Sequence, residues 1–352
     1  MSPRKADAIA RALRERILSG EWAPGARVPT YDALMEQFQV TRPTIARVLD
    51  TLREEGLVTV KGQRGVFVTQ QFPHHNRYLW VTSEQPGSIE WTLFLATTLD
   101  VIERGESGIP GDVSALVGVD GRTNNPQYQE LCDVVERGSA AGLLLVNSAM
   151  IYLLPVLQKP GLPRAAIEAP LPHAGLVRLD FAGLIERATK RLLEKGRRIA
   201  VLSPHSPKLV AAEQRLNSVG PPERLWALQV APIGCEGVTE LLFDRKHRPD
   251  AVFVTDDNLV EPLLQGLRRA GIEPGKDVYV LAHCNWPSPL GIEEGVEHLG
   301  FDVRELLCAG KDCIDAQRGG ESSPTRVVPA RFIAELTRPL LDEAVNAIRG
   351  QM

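Results

Sequence analysis

Apolar residues at Ile45, Val48, Leu49 and Leu52 recur at i, i+3, i+4 and i+7, the spacing that puts four side chains on one face of an α-helix. The opposite face of that helix is left to Arg42, Pro43 and Arg47. Leu34 and Phe38 predict a shorter helix before it, and Ala6, Ile9, Leu13 and Ile17 predict a longer one that packs beneath both. Leu57–Val60 and Val66–Thr69 alternate like two short strands around Lys61, Gly62, Gln63, Arg64 and Gly65, which predicts a hairpin with a basic, glycine-rich tip. Thr30 and Thr41 stand where the second and third helices must begin and are expected to cap their free N–H groups. Asp32 suits the positive helix end, and Pro43 is harmless in a first turn. Gly56 stands where the third helix must stop. Three helices and a hairpin in this order make a winged helix-turn-helix, and an exposed arginine-bearing face on its last helix suits a groove of duplex DNA.

After residue 77 the rhythm changes. Short apolar runs at Tyr78–Thr82, Ala115–Val119, Gly142–Val146, Ile199–Leu202, Ala251–Thr255 and Val278–Leu281 alternate with helical stretches such as Gln127–Arg137, Ala182–Lys195, Leu259–Ala270 and Val303–Gln317. Repeated β-α units of this kind predict parallel sheets covered by helices, and roughly 275 residues of them predict two sheets rather than one. The expected fold class is therefore α/β: a winged helix-turn-helix over residues 1–70, a linker over 71–77, a two-lobed body over 78–337 and a C-terminal helix over 338–352. Leu340, Leu341, Ala344, Val345 and Ile348 give that last helix an apolar stripe, which caps the body or joins a dimer.

Charge sharpens the division. Residues 1–71 hold 11 Lys and Arg against 8 Asp and Glu, a net +3, while the remainder holds 29 against 36, a net −7, so the chain's −4 hides a basic head on an acidic body. No apolar run approaches the ~18 residues of a membrane span, and the N-terminal stretch is a charged amphipathic helix without a signal-peptide pattern, so a cytoplasmic protein without membrane contact is expected. Five cysteines without a C-x-x-C pair suit reduced thiols, and seven histidines lack metal-ligand spacing. No metal and no cofactor is expected.

The stretch from Ala6 to Thr69, with VPTYDALMEQFQVTRPTIARVLDTLREEGLV followed by GQRGVFV, resembles the DNA-binding domain of the GntR family of bacterial transcription regulators. The resemblance implies contacts to phosphates or bases from Thr41, Arg42 and Arg47 and from the wing tip at Gly62, Gln63, Arg64 and Gly65; Thr30, Tyr31, Pro43 and Thr44 beside them are further DNA-binding candidates. The family often has an arginine or glutamate where this chain has Tyr31 and Asp32. It usually places its helix arginine at the position of Ala46, one step before Arg47, so the operator sequence does not carry over.

The body resembles the ligand-binding region of the galactose/lactose-repressor family, built like a periplasmic sugar-binding protein. The resemblance rests on AAGLLLVNS, VRLDFAGLIERATKRLLEKGRRIAVLS, RPDAVFVTDDNLVEPLLQGLRRAGIEPGKDVYVLAHCN and PTRVVPARF. It implies one lobe over about 78–170 and 290–324, another over about 171–289 and 325–337, and three crossovers between them. A GntR head on such a body is the arrangement of the arabinose-operon repressor class. In parallel sheets, small molecules bind beyond the carboxyl ends of the strands, which here carry Ser83, Asp120, Asn147, Asp256 and Asn285. Trp91, Arg215 and Trp286 could complete a set of planar polar groups and rings for a hydroxylated ligand. The resemblance puts Arg215 where the family has a ligand-contacting arginine, and Asp256 where it has Asn or Asp. A strand-end aspartate also serves as a helix cap, a role open to Asp256 and Asp257. After the strand ending at Leu281 the family usually has Gly-aromatic-Asp, and this chain has Ala282-His283-Cys284-Asn285.

The expected function is a homodimeric DNA-binding transcriptional regulator, a repressor, whose operator affinity depends on a small metabolite of the sugar class held between two lobes. The alternative is a constitutive DNA-binding dimer with a vestigial, ligand-free body. Catalysis is not expected, because the chain has no G-x-S-x-G elbow, no G-x-x-x-x-G-K-[ST] loop and no G-x-G-x-x-G turn.

Overall fold

The computed structural model describes residues 3–18, 21–69, 76–146, 149–158, 160–220, 222–244, 246–287 and 293–336. Most of the expected linker, the whole C-terminal stripe, Asn147 and the side chain of Gln63 lie outside the described residues.

The head consists of α1 (Pro3–Leu18), α2 (Tyr31–Phe38), α3 (Arg42–Glu54) and an antiparallel hairpin of β1 (Val58–Val60) and β2 (Val66–Val68). The stripes read from the sequence close into one core: Ile9, Leu13, Ile17, Leu34, Ile45, Val48, Leu49 and Leu52 are all buried together with Leu57 and Val68. Thr30 caps α2, its side chain accepting from Ala33 N at 3.3 Å. Thr41 sits at the start of α3 but makes no side-chain cap, contrary to the sequence expectation. The cause is its neighbour: Pro43 brings no N–H to the second position of the helix, and the N–H of Thr44 bonds the Thr41 carbonyl at 3.0 Å instead.

The body begins with β3 (Arg77–Thr82), α4 (Leu93–Glu103), β4 (Asp112–Val117), α5 (Pro126–Arg137), β5 (Gly142–Val146), α6 (Ala149–Leu153), β6 (Arg164–Ile167) and β7 (Gly175–Leu179). It continues with α7 (Phe181–Lys195), β8 (Arg198–Ser203), α8 (Ser206–Val219), β9 (Arg224–Gln229), α9 (Pro232–Phe243), β10 (Ala251–Val254), α10 (Val260–Arg269), β11 (Tyr279–Trp286) and β12 (Val296–Asp302). The last described elements are α11 (Val303–Arg318), β13 (Thr325–Val328) and β14 (Arg331–Phe332).

These strands form two six-stranded sheets, ordered β13-β7-β6-β5-β3-β4 and β14-β12-β11-β10-β8-β9. In the first, β4, β3, β5, β6 and β7 run parallel. In the second, only the β12–β14 edge is antiparallel. Central strands β5 and β10 are buried along their whole length, as the continuous apolar runs required, and so is β6, which begins with Arg164.

The chain divides into two compact units, one of residues 1–90, 105–178 and 307–326, the other of 91–104, 179–306 and 327–352. The lobe limits expected from the resemblance need correction. Residues 296–302 pair with β11 in the second sheet, whereas 290–324 was assigned to the first lobe, and β7 over 175–179 belongs to the first sheet rather than the second lobe. No helix among the described residues is long and apolar enough to cross a membrane.

Candidate functional site

In the head, burying Ile45, Val48, Leu49 and Leu52 turns the other side of α3 outward, so Thr41, Arg42, Pro43 and Arg47 are exposed and Thr44 is half-buried. The Arg42 guanidinium lies 5.2 Å from the centre of the Tyr31 ring on α2, which fixes the direction of an otherwise free side chain. Thr30 stands beside Tyr31 at the same end of the helix pair. Arg14, Arg16 and Arg53 are all engaged in ion pairs within the head, whereas Arg42, Arg47 and Arg64 make none among the described residues. Their positive charge is therefore available to a polyanion.

The wing is as expected in its residues, with one addition: Gly62–Arg64 form a single 3-10 turn at its tip. Gly62 and Gly65 both have positive φ, +56° and +105°, which lets the chain reverse within five residues. Arg64 and Lys61 are exposed there, the Lys61 ammonium resting 5.1 Å from the Phe67 ring.

The effector candidates fall in both units. Ser83 and Asp120 lie in the first, where Ser83 Oγ donates to Glu84 Oε1 at 2.8 Å and Asp120 accepts from Arg122 N at 2.9 Å. Trp91, Arg215, Asp256, Asn285 and Trp286 lie in the second. Of these, Asp256 and Asn285 come together through Asp257. Asn285 Nδ2 donates to Asp257 Oδ2 at 2.7 Å, and Asn258 Nδ2 donates to Asp256 Oδ1 at 2.7 Å. His205, at the start of α8, places Nε2 3.4 Å from Asp256 Oδ2. Asp256 is also a turn cap, accepting from Asn258 N at 3.1 Å, so the structural role considered for it is present as well.

Arg215 does not join this cluster. It sits ten residues beyond His205, about 15 Å along α8, and pairs with Glu186 of α7 at 3.3 Å. The resemblance put it in the pocket; a helix of this length carries it away from the strand ends.

The cluster also holds His283, which the sequence showed only as part of a departure from the family pattern. His283, two residues before Asn285 and so on the same face of β11, is 5% exposed, and neither ring nitrogen has a hydrogen-bond partner. Its ring lies 5.8 Å from that of Phe301, which meets Phe181 edge-on at 5.3 Å, and the Lys208 ammonium is 4.4 Å from the Phe181 ring. Burial and nearby Lys208 push His283 well below the ordinary imidazole range, so it is neutral at pH 7, with one nitrogen a donor and the other an acceptor. Burial, reinforced by the Asp256 charge, pushes Asp257 up to about 6. Burial also works against the charge on Asp256, but the Asn258 hydrogen bonds and the nearby Lys208 ammonium outweigh it and hold that carboxyl below its ordinary value. Trp286 Nε1 is a second buried donor without a partner among the described residues. Among the described residues, no group of three or more His, Cys, Asp or Glu could hold a metal ion, and the five cysteines are free.

Residues 5–68 match the family model of bacterial regulatory proteins, gntR family. The head is a GntR-type DNA-binding domain. It is 37% identical over 57 residues to an uncharacterized HTH-type transcriptional regulator, YisV, of Bacillus subtilis (strain 168), and 39% identical over 62 residues to the histidine utilization repressor of Klebsiella aerogenes. Those stretches cover 16% and 18% of this chain but only 11% and 26% of the relatives, so the likeness is one of heads. The GntR-type head is followed by a body whose likeness is to a different set of proteins. Over 73% of its length the chain is similar to the LacI family transcriptional regulator from Enterococcus faecium solved with bound ribose, covering 96% of that structure at 18% identity and a TM-score of 0.52. At that identity the likeness is one of fold.

Proposed function

We propose that this chain is a transcriptional regulator that represses by binding operator DNA through its GntR-type head, and that a small polyhydroxylated metabolite of the sugar class governs that binding. The observation that carries the reading is the exposed α3 face, where Arg42 and Arg47 keep their charge unpaired beside a basic wing. Such arginines offer contacts to phosphates and base edges, and phosphate contacts make affinity fall steeply with salt.

The effector half of the proposal draws on the cluster at the carboxyl ends of β10 and β11. Asp256 and Asn285 are hydrogen-bonding groups of the kind that hold hydroxyls, and the neutral His283 offers a donor and an acceptor that no described residue uses. The ribose-bound neighbour supports the sugar class. A homodimer completes the reading, since one winged helix makes few contacts and two heads suit a near-palindromic site. On α9, Ile233 and Leu241 are 98% and 67% exposed, with Gly237 between them open to close approach, which favours a second copy of the chain as occupant.

The test is fluorescence anisotropy on duplexes from the region upstream of the protein's own gene, at two salt concentrations, with and without D-ribose and D-glucose. Salt-sensitive, saturable binding weakened by Arg42→Ala is expected. Binding that ignores both salt and this substitution would overturn the head assignment.

A further inference from the structure

Helix α4 connects β3 to β4, two strands of the first sheet, yet it packs within the second unit. Its first turn gives the reason. A helix start leaves N–H groups without an intrahelical acceptor. At α4 the Thr92 hydroxyl takes the one on Leu95 at 3.4 Å, and the one on Leu93 donates to Asn258 Oδ1 at 3.2 Å. The other end of the same amide, Asn258 Nδ2, donates to Asp256 Oδ1 at 2.7 Å and reaches Asp257 Oδ1 at 3.4 Å. Asp257 is held in turn by Asn285. A side-chain amide has one acceptor and two donor hydrogens, at opposite ends of a rigid plane. Asn258 spends the acceptor on α4 and the donors on the carboxylates, so neither end can move without the other.

We infer that Asn258 is a positioning residue that ties the first turn of α4 to the Asp256–Asp257 pair, so that whatever engages those carboxylates also re-aims the start of α4. Chain order gives the link its reach: α4 follows β3, and β3 is the first strand after the head. The inference rests on the reading of this strand end as an effector site, because an unliganded carboxylate pair would give the tie nothing to report. A plain helix cap predicts something different. If Asn258 only satisfied Leu93, the fate of Asp256 would not matter to α4.

Hydrogen exchange followed by mass spectrometry on the full-length protein, without DNA or sugar, separates the two. Peptides covering residues 89–104 are compared with a reference peptide from α5. Asn258→Ala should speed exchange in the first turn of α4 about fivefold, the change that loss of one ordinary hydrogen bond supports. Asp256→Ala should do the same, the double variant should be no faster than Asn258→Ala alone, and Asp256→Asn, which keeps an acceptor for Asn258 Nδ2, should restore the wild-type rate. Should either alanine variant fail to fold, Asn258→Gln, which displaces the amide without removing it, is expected to loosen α4 in the same direction. Wild-type exchange in α4 after Asp256→Ala, or after both Asn258 substitutions, overturns the inference. The measurement does not use DNA binding, so its failure stays distinct from failure of the proposed function, which the anisotropy experiment reads.

Discussion

Arg14 of α1 grips Glu55, just past the end of α3, with two prongs: Nε meets Oε2 at 2.9 Å and Nη2 meets Oε1 at 2.5 Å. Its remaining Nη1 donates to the backbone carbonyl of Glu136 near the end of α5, at 3.1 Å. The guanidinium is one-tenth exposed and uses its planar fork in full. Removing one partner of such a pair leaves the other partly buried and uncompensated, so Arg14→Ala should cost about 3 kcal/mol in chemical denaturation of the full chain. Arg14→Lys should recover less than half of that, because a point charge cannot span both oxygens. Equal stability of Arg14→Lys and wild type would show that the fork geometry is irrelevant.

Replacing Arg42 or Arg47 by Ala should weaken operator binding by about 1–3 kcal/mol each while leaving thermal stability within roughly 0.5 kcal/mol, since both are exposed and unpaired. Arg64→Ala on the wing, if it meets a phosphate, should also flatten the salt dependence by about 0.9 in the slope of log K against log salt. Anisotropy titrations across a salt series measure both quantities.

The two wing glycines should differ. Gly65, at φ +105° and ψ −163°, lies where only glycine is comfortable, and an added Cβ would stand 3.2 Å from Arg27 Nε. Gly62, at φ +56°, is in the ordinary left-handed region with open space around it. Gly65→Ala should therefore destabilise the head by about 1–3 kcal/mol, and Gly62→Ala by about 1 kcal/mol. The order of the two losses in denaturant midpoints is the check; a larger loss at Gly62 would contradict it.

Asp257 carries a pH prediction. Its carboxyl titrates at about 6 in the folded protein because burial, then the Asp256 charge, disfavours ionisation, against about 3.9 in an unfolded chain. A raised folded pKa means the folded state binds the proton more tightly. The favourable contribution is complete below pH 4 and is lost as pH rises through 6. Asp257→Asn, which keeps an acceptor for Asn285, should gain about 2–3 kcal/mol relative to wild type between pH 4 and pH 7.5. A stability difference between the two proteins that is flat across this window would refute the burial argument.

What could be read from the chain alone follows the range of each interaction. Ile45, Val48, Leu49 and Leu52 were legible as a stripe because helical neighbours lie three and four residues apart, and β5 and β10 because a fully buried parallel strand is a continuous apolar run. Most of the strands and helices that were given limits from the sequence fall within three residues of them, although β11 runs on to Trp286, and others such as α4, α8, β6 and β9 were not singled out as elements. The effector cluster was legible only in part. Asp256 and Asn285 stand at strand ends, but His205 meets Asp256, and Phe301, Phe181 and Lys208 link in turn beside His283, from stretches up to 120 residues apart, and no local pattern announces that meeting. Asp257 and Asn258 were in view beside Asp256, yet which of three adjacent polar residues turns toward Asn285 and which toward α4 depends on the turn they build. Arg215 was placed by resemblance, and its distance along α8 shows how a matched residue type can stand at an unmatched position.

The interleaving of the two units has a consequence for how such a molecule can be recombined. The head is one uninterrupted stretch with its own core, whereas each unit of the body is assembled from separate stretches, with α4 lent to the second unit and residues 307–326 returned to the first. A single cut near residue 70 therefore parts the head from the body with its core complete, and the stretches 37% and 39% identical to the two relatives are no longer than the head itself. No single cut within the body yields a complete sheet with its covering helices. The head can move as one stretch, but a body that receives it must still offer Arg14 an acceptor such as the Glu136 carbonyl.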